Sequence, residues 1–186
     1  FIYKALWTDS GTAVLVSDRP LGPGLEVVDT WEFLLPDTLD RYRTRIDREG
    51  LHFDSLPTAT KSVRDVAPPL RAWLAQPLPG HSVPVHDVAG QSDGGAGESW
   101  PLDFTIAHTG GPAILRDLAV ELNVDEKLLR HSWESLDKGN LGGGSALDVL
   151  RRTYATPPAD GARGLLIGFG PGFAVSAAKV VWRGRV

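Results

Sequence analysis

The sequence predicts a layered α/β domain, and three observations carry that expectation. Runs with strand composition recur along the chain, stretches with apolar residues at helical spacing lie between them, and 186 residues with 42% hydrophobic content suffice for one core of ordinary size. A second full domain is not expected.

The elements follow in order. Residues 12–16 (TAVLV) form a short β-rich run, ended by the turn composition of residues 18–24, and residues 25–35 form a second strand-like run rich in Val, Trp and Phe. From 58 to 74, Val63, Val66, Ala67, Leu70, Trp73 and Leu74 recur at helical spacing. Pro68 and Pro69 are expected to kink that helix or start a new one, because each removes a backbone donor. Residues 77–101, PLPGHSVPVHDVAGQSDGGAGESWP, are dense in Pro, Gly, Ser and Asp and read as a long surface loop. Residues 102–107 read as a buried strand, followed by a helix whose apolar stripe is Ile114, Leu115, Leu118, Ala119 and Leu122. A further helix is expected from the glycines 142–144 onward, with Ala146, Leu147, Leu150 and Tyr154 on its inner face. Two strands close the chain, 164–169 and 173–182, joined through GFGPG. There is no internal repeat.

Composition excludes several classes. A net charge of −4 with scattered arginines gives no electrostatic footprint for nucleic acid. No apolar stretch is long enough to span a bilayer, and FIYKALW lacks the regions of a signal peptide, so a soluble cytoplasmic protein is expected. The absence of cysteine leaves this chain no disulfide, no thiolate metal site and no cysteine nucleophile. The chain begins at Phe1 and contains no methionine, and it reads as a piece of something longer.

Three stretches are candidates for chemistry. In FTIAHTGGPAIL, His108 ends an apolar strand just before a helix, where backbone N–H groups and the helix dipole disfavour a cationic imidazole and favour a neutral donor. Gly110 and Gly111 permit a tight turn and the close approach that a substrate thioester needs. A histidine that merely terminates a strand is the competing reading, and position alone does not choose between them. In KGNLGGGSA, Asn140 either occupies a left-handed turn or presents its amide NH2 to a developing oxyanion. GFGPG, residues 168–172, has neither the spacing nor the context of a dinucleotide fingerprint and lacks the Lys and Ser or Thr of a phosphate-binding loop. It reads as a tight inter-strand turn that lets backbone approach a ligand or neighbouring loop closely.

Other residues point to structure. His81 and His86 lie in the polar loop at no regular one-face spacing, and no metal site is expected there. His52, His131, Trp100 and Trp133 suit packing or surface roles. Asp37 and Asp40, among Arg41, Arg43 and Arg45, read as a solvated face.

Taken together and in order, ALWTDSGTAVLV, REGLHF, IAHTGGPAIL, KGNLGGGSA and GFGPG resemble the C-terminal half of chalcone synthase-like type III polyketide synthases. The resemblance runs from Ala5 to about Val181, with residues 77–101 as a longer insertion, and makes residues 1–186 one C-terminal domain. It implies half of a thiolase-like fold, a mixed five-stranded sheet flanked by helices. It implies decarboxylative condensation of malonyl-CoA onto an acyl-CoA starter, with no metal and no cofactor beyond the CoA thioester substrates.

Carried over by position, the family's catalytic histidine and asparagine fall on His108 and Asn140, which polarise the malonyl thioester carbonyl and stabilise the enolate. Two phenylalanines that shape the family's tunnel fall on Trp7 and Phe53, and Gly168, Phe169, Gly170, Pro171 and Gly172 form cavity wall. The family's nucleophilic cysteine belongs to an N-terminal half, so the resemblance implies that half as a partner, a homodimer, and no activity for this chain alone. Trp7 in place of Phe, Thr109 in place of Pro, Thr8 and Ser10 in place of glycines, and Leu141 and Gly142 in place of Met and Ser are departures that remove no catalytic group. Two alternatives compete: a non-catalytic partner or remnant, which has no use for an oxyanion site, and an initiation ketosynthase like 3-oxoacyl-ACP synthase III. HTGGP and GFGPG favour the chalcone synthase branch. Starter, number of extensions and mode of cyclisation are not specified.

Overall fold

The computed structural model describes residues 7–78 and 100–184. Most of the predicted 77–101 loop, with His81 and His86, lies outside the described residues. Six strands form: β1 (Gly24–Leu34), β2 (Tyr42–Asp47), β3 (Gly50–Ser55), β4 (Phe104–Ala107), β5 (Arg163–Gly170) and β6 (Ala174–Arg183). The helices are α1 (Ser62–Leu74), α2 (Pro112–Leu122), α3 (Arg130–Leu136) and α4 (Ser145–Ala155).

The main sheet has four strands in the order β1-β6-β5-β4, which corrects the expected five. β1 and β5 flank β6 antiparallel, and β4 joins β5 in parallel, so the sheet is mixed as expected. The missing strand is 12–16, which pairs with nothing among the described residues. Val14, Leu15 and Val16 are 54, 80 and 84% exposed there, because β-branched composition makes a strand only where a partner edge is at hand. The strand pattern of β6 divides the core: Val175, Ala177 and Val181 face the side covered by α1 and α2, whereas Ala178, Val180 and Trp182 meet Val149 of α4 on the other.

α1 runs unbroken through Pro68 and Pro69, against the expected kink. The two carbonyls that lose a donor belong to Arg64 and Asp65, both exposed, so water can take the place of the missing N–H groups. Val63, Val66, Leu70, Trp73 and Leu74 hold the opposite face in the core. Of the expected inner face of α4, Ala146 and Leu150 pack against the core, but the most deeply buried residues are Ser145, Asp148, Val149 and Thr153, and Tyr154 is 48% exposed with its ring edge-on to Trp182. Asp148 tolerates burial because Arg151, Arg152 and Lys138 neutralise it. The β2–β3 hairpin and α3 were not anticipated; β2 is exposed from Arg43 to Asp47, and only Tyr42 at its start is half-buried. Among the described residues no helix is long and apolar enough to cross a membrane.

Candidate active site

The parallel pairing of β4 with β5 continues one residue beyond the strand, where the His108 N–H donates to the Ile167 carbonyl at 2.9 Å. That bond fixes the backbone from which the imidazole projects. The chain then turns through Gly110 and Gly111, and Pro112 starts α2 at a position where its missing N–H costs nothing. A Cβ at Gly110 would lie 3.2 Å from both Cδ2 and Nε2 of His108 and 2.7 Å from Cδ1 of Ile114. Glycine here keeps the Nε2 edge of the ring uncovered. Burial pushes the His108 pKa below the ordinary histidine value, so the ring is neutral at pH 7. The sequence suggested the helix dipole as the cause; the cause found is desolvation.

Asn140 sits between two backbone turns made by glycine, Gly139 at φ 100° and Gly142 at φ 58°. These glycines, not the asparagine, take the left-handed conformations, so the reading of Asn140 as a left-handed turn residue does not hold. Its side chain is buried, and its Oδ1 accepts the Gly142 N–H at 2.9 Å and the Ser145 hydroxyl at 3.4 Å. With the oxygen engaged by donors, the NH2 is the end of the amide left to donate elsewhere. Behind the loop, hydrogen bonds from Arg152 and Arg151 outweigh the upward push of burial and hold the Asp148 carboxyl well below the usual carboxylate range. Asp148 also lies 3.7 Å from Lys138, which ties α4 to the segment leading into Asn140.

His108 and Asn140 line one open cavity of about 340 Å³. Trp7, Phe53, Phe169, Gly170 and Pro171 line it too, whereas Gly168 and Gly172 do not. Gly168 pairs with Ser176 inside the sheet, and Gly172 makes a positive-φ turn whose carbonyl lies 2.9 Å from Thr38 Oγ1. Thr38 Oγ1 also accepts the Phe173 N–H at 2.8 Å, which pins the turn from behind. Two aromatic wall residues escaped sequence reasoning, Tyr42 and Phe173, as did Ser55 and Ala59; the two aromatics matter most. They complete a run of rings, Trp7–Phe53–Tyr42–Phe173–Phe169, with successive centroids 5.6, 5.7, 5.9 and 5.6 Å apart. Such spacing is favourable for aromatic pairs and gives the cavity an apolar lining alongside two polar side chains.

The remaining candidates lie elsewhere. His52 pairs with Asp47 at 2.9 Å on the hairpin, and His131 bridges Glu134 and Thr156 at 2.9 and 2.8 Å between α3 and the end of α4. Neither Asp37 nor Asp40 lines the cavity. Among the described residues no group of His, Cys, Asp and Glu is disposed to hold a metal ion.

Comparison with known proteins bears on the family and the fold. The family model for chalcone and stilbene synthases, C-terminal domain, matches residues 87–183. The 1,3,6,8-tetrahydroxynaphthalene synthase of Streptomyces coelicolor is 32% identical over 182 residues, 97% of this chain and 44% of that protein. The phloroglucinol synthase of Pseudomonas fluorescens is 27% identical over 183 residues, 98% of this chain and 48% of that protein. The crystal structure of the Streptomyces coelicolor enzyme, a bacterial type III polyketide synthase, superposes with a TM-score of 0.71 at 31% identity, covering 90% of this chain and 43% of that one. The chain therefore spans less than half the length of these relatives.

Proposed function

The chain belongs to the chalcone and stilbene synthase family, as its C-terminal domain, and from that premise we propose that it supplies the oxyanion site of a decarboxylative condensing enzyme acting on malonyl-CoA and an acyl-CoA starter. The observation that carries the proposal is the pairing of a neutral His108 with an Asn140 whose amide oxygen is already engaged, both lining one cavity. His108 Nε2–H and Asn140 Nδ2–H donate to the thioester carbonyl of the malonyl group. When the carboxylate leaves as CO2, its electron pair becomes an enolate, and the negative oxygen forms where the two donors point. Neutral donors held in place beforehand stabilise that charge without reorganising.

The enolate carbon then attacks the acyl thioester carried by a cysteine. This chain has none, so the proposal assigns that residue to an N-terminal half, and activity to the two halves together. The same donors serve the tetrahedral intermediate of condensation. Trp7 and Phe53, 5.6 Å apart at the end of the aromatic wall, fit a role in limiting what enters. The reading includes a cytoplasmic homodimer with no cofactor beyond CoA thioesters.

Incubating the full-length protein with malonyl-CoA and a panel of acyl-CoA starters, with products identified by mass, tests this directly. Acetyl-CoA from decarboxylation and at least one extended product are expected, both lost in His108→Ala. A protein that releases no CO2 from malonyl-CoA is not the enzyme proposed.

A further inference from the structure

We propose that Ser10 is a positioning residue for Asn140, and that glycine stands at 144 because Ser10 occupies the space a side chain would need. The inference rests on the reading of Asn140 as an oxyanion donor, and goes beyond it by naming what holds that donor in place.

The segment entering the described chain runs alongside the Asn140 loop. Trp7 bridges Asn140 in parallel, and the Thr8 N–H donates to the Asn140 carbonyl at 3.1 Å. Two residues on, the Ser10 hydroxyl donates to the Leu141 carbonyl at 3.1 Å. The Leu141 N–H in turn donates to Ser145 Oγ at 3.1 Å, and that hydroxyl donates to Asn140 Oδ1 at 3.4 Å. Leu141 is thus held by its carbonyl from Ser10 and by its N–H from the residue that orients the amide. Rotation of the loop about Leu141 moves the Ser145 contact and the Gly142 N–H together, and both define where Nδ2 points.

The second observation is steric and independent of the hydrogen bonds. A Cβ at Gly144 would fall inside van der Waals contact with Ser10 Oγ, 3.3 Å from Ser10 Cβ and 3.5 Å from Thr12 Cγ2. Gly144 has no positive φ, so its backbone conformation does not demand glycine. Space does, and Ser10 fills that space. The two positions therefore form a coupled pair in which small at 144 goes with serine at 10.

The test is a cycle in the full-length protein: Ser10→Gly, Gly144→Ser and the double variant Ser10→Gly/Gly144→Ser, beside Ser10→Ala and Asn140→Asp. Malonyl-CoA decarboxylation is followed for kcat and KM, and thermal midpoints are recorded for each. Ser10→Ala is expected to lower kcat by up to about tenfold, the size of one neutral hydrogen bond, with KM and midpoint unchanged. Gly144→Ser is expected to lower both kcat and midpoint, and the double variant to recover most of the midpoint, since Ser10→Gly opens the space, while its kcat returns only to the level of Ser10→Gly, which lacks the same hydroxyl. Wild-type kcat in Ser10→Ala, with Asn140→Asp impaired, overturns the positioning role alone. Midpoint losses of Ser10→Gly and Gly144→Ser that simply add in the double variant overturn the coupling. An Asn140→Asp protein with full decarboxylation removes the underlying site reading, and this proposal with it.

Discussion

Asn140 Oδ1 accepts the Gly142 N–H at 2.9 Å, and that one contact decides which end of the amide is free to face the cavity. The substitution Asn140→Asp separates the two halves of the side chain's work. A carboxylate still accepts from Gly142 and Ser145, so the loop keeps its partners, but it brings an acceptor and a negative charge to the place where a donor stood. Loss of one oxyanion donor typically costs on the order of 10² to 10³ in kcat. Carbon dioxide release from malonyl-CoA by the full-length Asn140→Asp protein should fall by at least about 10², with little change in thermal midpoint. A rate within a few-fold of wild type removes Asn140 from the chemistry.

Gly110→Ala asks whether the open edge of His108 matters. The new methyl would stand 2.7 Å from Ile114 Cδ1, a side-chain tip that can swing aside, and 3.2 Å from Nε2 and Cδ2 of His108, so the imidazole must give way. A displacement of about 1 Å at a catalytic group is enough to cost on the order of 10² in rate. The expected result is a folded protein, judged by its near-ultraviolet circular dichroism, whose decarboxylation rate falls by about that factor. Unaltered kinetics would show that His108 Nε2 is not the working atom.

Acidification gives a further test. An ordinary histidine becomes cationic near pH 6.5, whereas desolvation holds the His108 pKa lower. The ring stays a neutral donor through that range, so decarboxylation should not decline in step with an ordinary histidine titration. The same displacement has a stability consequence. Below about pH 6.5 the unfolded chain takes up a proton at this position that the folded chain resists, so the contribution of His108 is full above that value and is lost as pH falls through the folded pKa. The ring proton shifts of His108 in NMR spectra read the pKa directly, and a midpoint at or above 6.5 contradicts the burial seen here.

How much of this was legible in the sequence depended on whether a residue's partners are local. His108, Asn140, Phe53 and Phe169 could be found because each sits in a short motif whose glycines and neighbours mark the turn it needs. Tyr42 and Phe173 could not, since their roles come from a hairpin and a strand start that meet only in three dimensions. The hairpin went unread because Arg43, Arg45 and Asp47 mark a solvated stretch, which β2 beyond Tyr42 is, and composition alone does not say that such a stretch is extended and paired. Residues 12–16 erred the other way: their composition suits a strand, but period-two patterning says nothing about whether an edge is available to pair with. In α4 the apolar residues marked only part of the inner face, Ala146 and Leu150, because the buried Asp148 beside them is compensated by cations four residues on and ten before. Lys179 went unnoticed altogether, a charge in the middle of VSAAKVVW.

Lys179 supplies the last prediction. It is fully buried on β6, its Nζ donates to the Gln76 carbonyl at 2.8 Å, and it lies over the rings of Trp73 and Trp100 at 4.9 and 5.8 Å. Asp29, 3.7 Å away, also accepts the Trp73 indole N–H at 2.9 Å. The ammonium thus fastens the chain just after α1 to the middle of the sheet, beside Trp100. Lys179→Ala removes the donor to Gln76 and opens a void between two indoles, for an expected loss of about 2–4 kcal/mol. Lys179→Met fills the space without the donor and should lose only about 1–2 kcal/mol. Desolvation lowers the lysine pKa in spite of Asp29, so alkaline pH should favour the folded chain at this position: the folded state gives up the proton earlier, and the penalty for burying the charge is relieved as pH rises. Denaturant titration of the two variants reads the order of stability, and Lys179→Ala within about 0.5 kcal/mol of wild type would mean that this lysine holds nothing together.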